Sequence, residues 1–193
     1  GWQVVCEHDG HTAAGDAVIL MPPTPECLRL LDTCGLGETS AAERLADIAY
    51  DPCLAVLALL PGPSDVPDPG ALGMYTGGVR WLADNAVKGI SDIPAVTVHA
   101  DAAFSRQHAH APDAAITAAL LAAARDYLPD QPTAIRVLRW QHSKPRGQCD
   151  ETCAVVHDAP PLALAGDAFG RARVEGAYLS GLAAADAVAT RLA

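Results

Sequence analysis

Hydrophobic residues along the chain fall into short runs separated by polar turns and by loops rich in Pro and Gly. Apolar runs of about four to eight residues bounded by such turns predict β-strands. The predicted strands cover residues 3–7, 17–21, 53–60, 79–83, 95–99, 134–142, 153–157 and 162–165. A polar turn at residues 8–11 joins the first two, so we expect a strand, a turn and a second strand at the start of the chain.

Longer stretches with helical composition lie between these runs. Pro112 and Pro129 bracket an Ala-rich stretch, and proline marks helix limits because it lacks an N–H and restricts the residue before it. Ser40 and Glu43 have the spacing of a capping box at the start of another helix. The predicted helices cover residues 25–32, 40–48, 113–128 and 174–192. Strands alternating with helices indicate an α/β or α+β fold.

Composition limits the classes of function. Of the 193 residues in the chain, 50% are hydrophobic, so the chain can form a core. Its formal net charge of -10 argues against nucleic-acid binding, which needs a basic surface. No apolar run approaches the roughly 20 residues of a membrane helix, and no signal peptide is evident. These features suit a cytoplasmic protein that acts on small molecules without a membrane partner.

The chain begins with Gly1 and Trp2, without an initiator Met and inside a predicted strand. Because a complete domain seldom starts within an element, we expect a fragment, a processed product or one half of a split protein.

The segment with the strongest chemical signal follows the last predicted strand. That strand runs into Gly166 and Asp167, and a carboxylate at this position can reach a ligand hydroxyl at the carboxyl edge of a sheet. A short loop then leads through Arg173 into a helix whose first turn contains Gly176 and Ala177. Small residues at a helix start let backbone N–H groups approach a ring or an anion. The same residues also suit a turn followed by a helix that packs closely on a sheet through Gly176 and Ser180.

Residues 166–185 resemble the second FAD motif of the FAD/NAD(P)-dependent oxidoreductases of the renalase-like, amine-oxidase-related family. The resemblance implies FAD as cofactor, with Asp167 at the ribitol and the helix start facing the isoalloxazine. It implies these cofactor-contacting residues: Gly166, Asp167, Arg173, Val174, Glu175, Gly176, Ala177 and Ser180. Weaker similarity covers residues 15–25, 80–89, 98–100, 104–108 and 139–140.

The family's opening G-x-G-x-x-G fingerprint is missing from this chain. The nearest match, Gly35, Gly37 and Ser40, does not follow a strand, and Ser40 suits a helix cap better. The ADP-binding Rossmann half is therefore expected elsewhere in the same polypeptide or in a separate subunit. We expect strands returning to the FAD domain at 1–26, a mixed-sheet substrate domain with flanking helices at 27–153, and the C-terminal strand and helix of the Rossmann-like FAD-binding domain at 154–193.

The implied activity is hydride transfer from a small-molecule substrate to flavin, followed by electron transfer to oxygen or another acceptor. Renalase-like relatives imply a reduced nicotinamide as substrate, and amine-oxidase relatives imply an amine. The alternative is a non-catalytic binding or partner module that keeps the flavoprotein fold. Trp81 and Trp140, each beside an Arg, are candidates for the substrate cavity or for core packing. No catalytic acid or base is identified.

Other clusters give weaker signals. Cys149 and Cys153, near two histidines, lack a common zinc spacing, so no metal is predicted. His108 and His110 are expected to be solvated. The sequence has no G-x-S-x-G elbow, which argues against a serine hydrolase.

Overall fold

The computed structural model describes residues 1–193, which divide into two compact units. One unit combines residues 1–50 with residues 144–193, and the other comprises residues 51–143. We call them the discontinuous unit and the central unit. The domain limits expected from the sequence, at 26/27 and 153/154, stay a prediction.

Ten strands and five α-helices make up the chain. The strands are β1 Trp2–Val5, β2 Thr12–Gly15, β3 Val18–Leu20, β4 Ala49–Leu59, β5 Ala71–Thr76, β6 Val79–Asp84, β7 Ala95–Ala100, β8 Ala134–Arg146, β9 Ala154–Asp158 and β10 Pro161–Leu164. The helices are α1 Thr24–Thr33, α2 Ser40–Leu45, α3 Ala102–Gln107, α4 Asp113–Ala124 and α5 Val174–Leu192, with a 3-10 turn at Arg125–Tyr127.

The discontinuous unit is built on a three-stranded sheet in the order β3-β10-β9. Strand β10 runs parallel to β3 and antiparallel to β9, and β1 and β2 form a separate antiparallel ribbon. The largest fully buried side chains of this core are Leu31, Leu45, Leu164 and Phe169. They come from both ends of the chain, so this core forms only when the two segments meet.

Helix α5 packs on β10 through a narrow stripe of small side chains. Ser180, Ala184 and Val188 are buried, and their regular spacing along the helix places them on one face. Opposite them lie Ala163 and Ala165, which are also buried. Because both surfaces carry small side chains, the helix can lie close to the strand.

The central unit is a five-stranded sheet in the order β5-β6-β7-β4-β8. The β5–β6, β6–β7 and β7–β4 pairs are antiparallel. Helix α4 covers one face through Ile116, Leu120 and Ala124, all of which are inaccessible to solvent. The α/β class and the mixed architecture expected from the sequence are thus confirmed.

Several local expectations were wrong for identifiable reasons. The partner of β1 is Thr12–Gly15 and not the apolar run at 17–21, which pairs with β10 instead. The capping residue of α2 is Thr39, whose hydroxyl accepts the Ala42 N–H at 3.3 Å, and not Ser40. Strand β5 and helix α3 were not anticipated, because Gly and polar residues interrupt their patterns.

None of the helices has both the length and the apolar character required to cross a membrane.

Candidate functional site

The chain turns sharply where β10 ends. Gly166 has φ of 137°, a conformation that residues with a Cβ rarely adopt. Its N–H donates to the Ser180 Oγ at 3.0 Å, and Ser180 is only 2% exposed. Ser180 therefore ties the strand end to the second turn of α5. Both residues were proposed from the sequence as cofactor contacts, and the structure brings them together.

The side chain of Asp167 is held by a residue that the sequence did not single out. The Tyr50 hydroxyl donates to Asp167 Oδ1 at 3.0 Å. Tyr50 is buried at the start of β4, 117 residues away in sequence. The Thr24 N–H faces the same hydroxyl at 3.5 Å, at the limit of a hydrogen bond. Nothing in the sequence pattern links Tyr50 to Asp167, so only the tertiary structure reveals the pair.

Burial raises the pKa of the Tyr50 phenol to about 12, and the negative charge of Asp167 and its hydrogen bond act in the same direction. Since folding favours the protonated phenol, its contribution to stability is complete below pH 10 and is lost as the pH rises from about 10 to about 12.

We expect Asp167→Asn to lower the pKa of Tyr50 while leaving it above its ordinary value, because burial remains the larger cause. Spectrophotometric titration of tyrosinate, compared with a Tyr50→Phe variant to assign the transition, measures this shift. An unchanged titration in Asp167→Asn would contradict the pairing.

The start of α5 lacks a side-chain cap. Arg173 occupies the N-cap position with no side-chain hydrogen bond to the first turn, and the Ala177 N–H donates to the Arg173 carbonyl at 3.0 Å. The N–H groups of the residues between them precede that first helical bond and lie at the positive end of the helix dipole. Glu175 lies in this first turn, and Val174 is 90% exposed.

Because Gly176 has no side chain, another part of the chain's own backbone can approach it closely. A Cβ at this position would collide with the carbonyl oxygen of Arg171. The loop before α5 therefore packs against the helix start through a contact that only glycine permits. Ala177 follows and takes part in the first helical hydrogen bond.

A small pocket lies beside this helix start, with a volume of about 270 Å³. Of the residues proposed from the sequence, Glu175, Gly176 and Ser180 line it. Its other walls are Thr152, Phe169, Gly170, Arg171 and Leu179. Backbone bonds from Cys149 to Ala168 (2.8 Å) and from Gly170 to Cys149 (3.1 Å) brace the adjoining loop. Cys149 thus has a structural role here.

The two tryptophans lie in the central unit and are both substantially exposed, at 39% for Trp81 and 57% for Trp140. Leu82 directly follows Trp81, and Val137 lies three residues before Trp140. Both Leu82 and Val137 pack in the core. Strand alternation therefore places both indoles on the opposite face of the sheet. Strands β7 and β4 lie between the strands that carry the two tryptophans, so Trp81 and Trp140 do not form a stacked pair.

His99 is the cross-strand partner of Trp81 on this face and belongs to the region of weak similarity at 98–100. Burial and the nearby positive charge of Lys88 lower the pKa of His99, which favours a neutral imidazole.

The other candidates take structural positions. No three His, Cys, Asp or Glu side chains come together as metal ligands. The His108 ring stacks on Phe104 with 4.0 Å between centroids. Within the region of weak similarity at 104–108, the Ser105 hydroxyl is buried, donates to the Asp101 carbonyl and accepts the Leu54 N–H. Gly35 and Gly37 lie in the loop between α1 and α2.

A larger cavity of about 1010 Å³ lies between α4 and β8, but it contains none of the residues proposed from the sequence. Two of its charged residues form exposed ion pairs: Asp113 with Arg139 at 2.6 Å and Arg125 with Asp126 at 3.4 Å. The start of α5 therefore remains the better candidate site.

Solved structures with a similar fold include two that are oxidases by name. A candidate protoporphyrinogen oxidase of Exiguobacterium sp. 255-15 matches with a TM-score of 0.64 and 13% identity, over 98% of this chain and 44% of that one. The cyclohexylamine oxidase of Brevibacterium oxydans IH-35A matches with a TM-score of 0.64 and 16% identity, over 94% and 44%. A Pyrococcus furiosus protein matches with a TM-score of 0.59 and 11% identity, over 97% and 44%.

The chain thus spans less than half the length of these structures. No curated protein matches it significantly. A family model for flavin-containing amine oxidoreductases matches residues 2–189. Because that match covers nearly the whole chain, this protein belongs to the flavin-containing amine oxidoreductases, a family with which the predicted FAD cofactor is consistent.

Proposed function

We propose that residues 166–180 form one wall of the FAD site of an oxidoreductase that oxidises a small molecule by hydride transfer. The observation that carries this proposal is the attachment of the Gly166–Asp167 turn to α5, a helix whose start has no side-chain cap. The hydrogen bond between Gly166 and Ser180 holds the two parts together.

The residues fit the flavin end of such a cofactor. A carboxylate at a strand end suits a polyol hydroxyl, and uncapped N–H groups at a helix start suit a carbonyl oxygen that gains negative charge. The adjoining pocket, at about 270 Å³, falls below the roughly 300–1,000 Å³ of whole ligand sites. It therefore suits part of a dinucleotide and not all of it.

When bound, FAD supplies the redox chemistry, which comprises hydride uptake from the substrate and release of the electrons to oxygen or another acceptor. The chain contributes binding and orientation. Asp167 would accept a hydrogen bond from a cofactor hydroxyl, and the N–H groups of Glu175 and Gly176 would provide positive potential at the helix start. The Gly166–Ser180 bond ties the turn that carries Asp167 to the helix that carries these N–H groups.

For the substrate wall we propose the face of the central sheet that carries Trp81, His99 and Trp140. Aromatic side chains with a neutral imidazole suit a flat or apolar substrate better than they suit a highly charged one. A reduced nicotinamide, as in renalase-like relatives, and an amine, as the name of the family suggests, are the two substrate classes to test.

The ADP half of FAD would bind to residues outside this chain, because neither the sequence nor the small pocket provides a dinucleotide site. We propose that they belong to the same polypeptide or to a separate subunit.

Purification together with that complementary part tests the function. We expect a yellow protein that releases FAD on denaturation. Asp167→Ala should weaken FAD binding by about tenfold or more, since a hydrogen bond to a charged group contributes about 1.5–3 kcal/mol. Asp186→Asn is the matched control, because it removes an exposed carboxylate from the same unit away from the site.

A colourless complex that takes up no FAD would contradict the proposed function. Equal losses in Asp167→Ala and Asp186→Asn would instead show that overall charge, and not the Asp167 contact, affects binding.

A further inference from the structure

Tyr50 lies where three segments of the discontinuous unit meet. It is 8% exposed and packs in the core cluster that contains Leu31, Leu45 and Phe169. The ring is therefore fixed by packing, and its hydroxyl has a defined direction.

That hydroxyl connects three segments. It donates to Asp167 Oδ1 at 3.0 Å, after β10, and it faces the Thr24 N–H at 3.5 Å, at the start of α1. A phenol that stays protonated at neutral pH has a single proton to donate, and here the proton goes to the carboxylate. The Asp167 Oδ1 atom is thus held by a hydrogen bond from within the protein.

Two separate anchors act on the Gly166–Asp167 turn. Ser180 on α5 accepts the Gly166 N–H and fixes the backbone, whereas Tyr50 on β4 fixes the carboxylate. Asp167 is only partly buried, so without the second anchor its side chain could rotate towards solvent.

Resting on the proposed role of Asp167 in FAD binding, we propose that Tyr50 is a positioning residue that holds the Asp167 carboxylate in the rotamer presented to the cofactor. With Oδ1 engaged by Tyr50, the second carboxylate oxygen, Oδ2, is the one offered to a cofactor hydroxyl. In this role Tyr50 acts through the Asp167 side chain.

The first test needs no cofactor. Three-bond couplings across χ1 of Asp167, measured by NMR, should report a single rotamer in the native chain and averaging in Tyr50→Phe. Phenylalanine keeps the ring and its packing and removes only the hydroxyl. Averaged couplings already present in the native chain, or unchanged couplings in Tyr50→Phe, would overturn the proposal.

The second test is a double-mutant cycle on FAD affinity in the complete complex. We expect Tyr50→Phe to raise the Kd for FAD by about 3- to 10-fold. This loss is smaller than that expected for Asp167→Ala, because the carboxylate remains and only its orientation is released. The same substitution should have no further effect in an Asp167→Ala background, because Tyr50 acts through the Asp167 side chain.

The outcomes separate this inference from the proposed function. If Asp167→Ala leaves FAD affinity unchanged, the proposed role of Asp167 fails, and the positioning role fails with it. If Asp167→Ala weakens binding but Tyr50→Phe does not, only the Tyr50 inference is overturned. An equal effect of Tyr50→Phe in both backgrounds would assign Tyr50 to packing alone and would also overturn it.

Discussion

Replacing Phe169 with alanine is expected to lower the free energy of unfolding of the discontinuous unit by about 3–5 kcal/mol. Phe169 is 2% exposed and lies in the core with Leu31, Leu45 and Leu164. Truncation removes the transfer free energy of the ring and leaves a cavity, because the surrounding side chains relax only in part. The cavity would open close to Asp167 in the chain, so FAD binding should weaken as well.

Urea titration followed by the fluorescence of Trp2 measures this loss, in a background where Trp81 and Trp140 are replaced by phenylalanine. A probe for one unit is needed because two units can unfold in separate transitions. Trp2 belongs to the discontinuous unit, and its indole N–H donates to the Pro161 carbonyl at 2.9 Å. Phe169→Leu keeps most of the apolar volume and should cost less. Equal and small losses for both variants would contradict a buried Phe169.

Replacing Gly176 with alanine is expected to destabilise the discontinuous unit by about 1–3 kcal/mol, the usual cost of inserting volume into a packed region. The new Cβ would collide with the Arg171 carbonyl, which is backbone and cannot rotate away as a side chain could. The unit must then displace the 170–173 loop from the start of α5. Since that loop lines the small pocket, we expect weaker FAD binding in addition.

Gly181→Ala in the same helix is the matched control. A Cβ at Gly181 would meet only the Met21 Sδ at 4.0 Å, an ordinary contact. Alanine there should stabilise the helix by about 0.5–1 kcal/mol, since glycine is the poorer helix former. The same fluorescence titration compares the two variants. A Gly176→Ala chain as stable as Gly181→Ala would show that the Arg171 contact is absent in solution.

The sequence was most informative where local pattern and tertiary environment agree. The limits expected for the last helix, 174–192, are those of α5, because a small-residue stripe and a preceding loop mark it clearly. The Ala-rich helix expected at 113–128 forms α4 and the 3-10 turn after it, since alanine favours helix and Pro112 and Pro129 bracket the segment. The same local signal located Gly166 and Asp167 after a buried strand.

Pairings between distant segments were not predictable in this way. The run at 17–21 was a strand as expected, but its partner is β10, near the other end of the chain, because apolar side chains do not encode which strand they join. Tyr50 lies at the start of an apolar strand and carries no local mark of its contact with Asp167. The partner of Gly176 proved to be Arg171, which no spacing rule identifies.

The mixed α/β class, the extent of α5 and the Gly166–Asp167 turn follow from local sequence signals, because periodicity, proline positions and small residues act over a few neighbouring residues. Three other features are visible only in the folded chain: residues 1–50 and 144–193 form one unit, Ser180 holds the Gly166 backbone, and Tyr50 holds the Asp167 carboxylate. These contacts depend on the packing of a shared core, where burial brings together groups that are far apart along the chain.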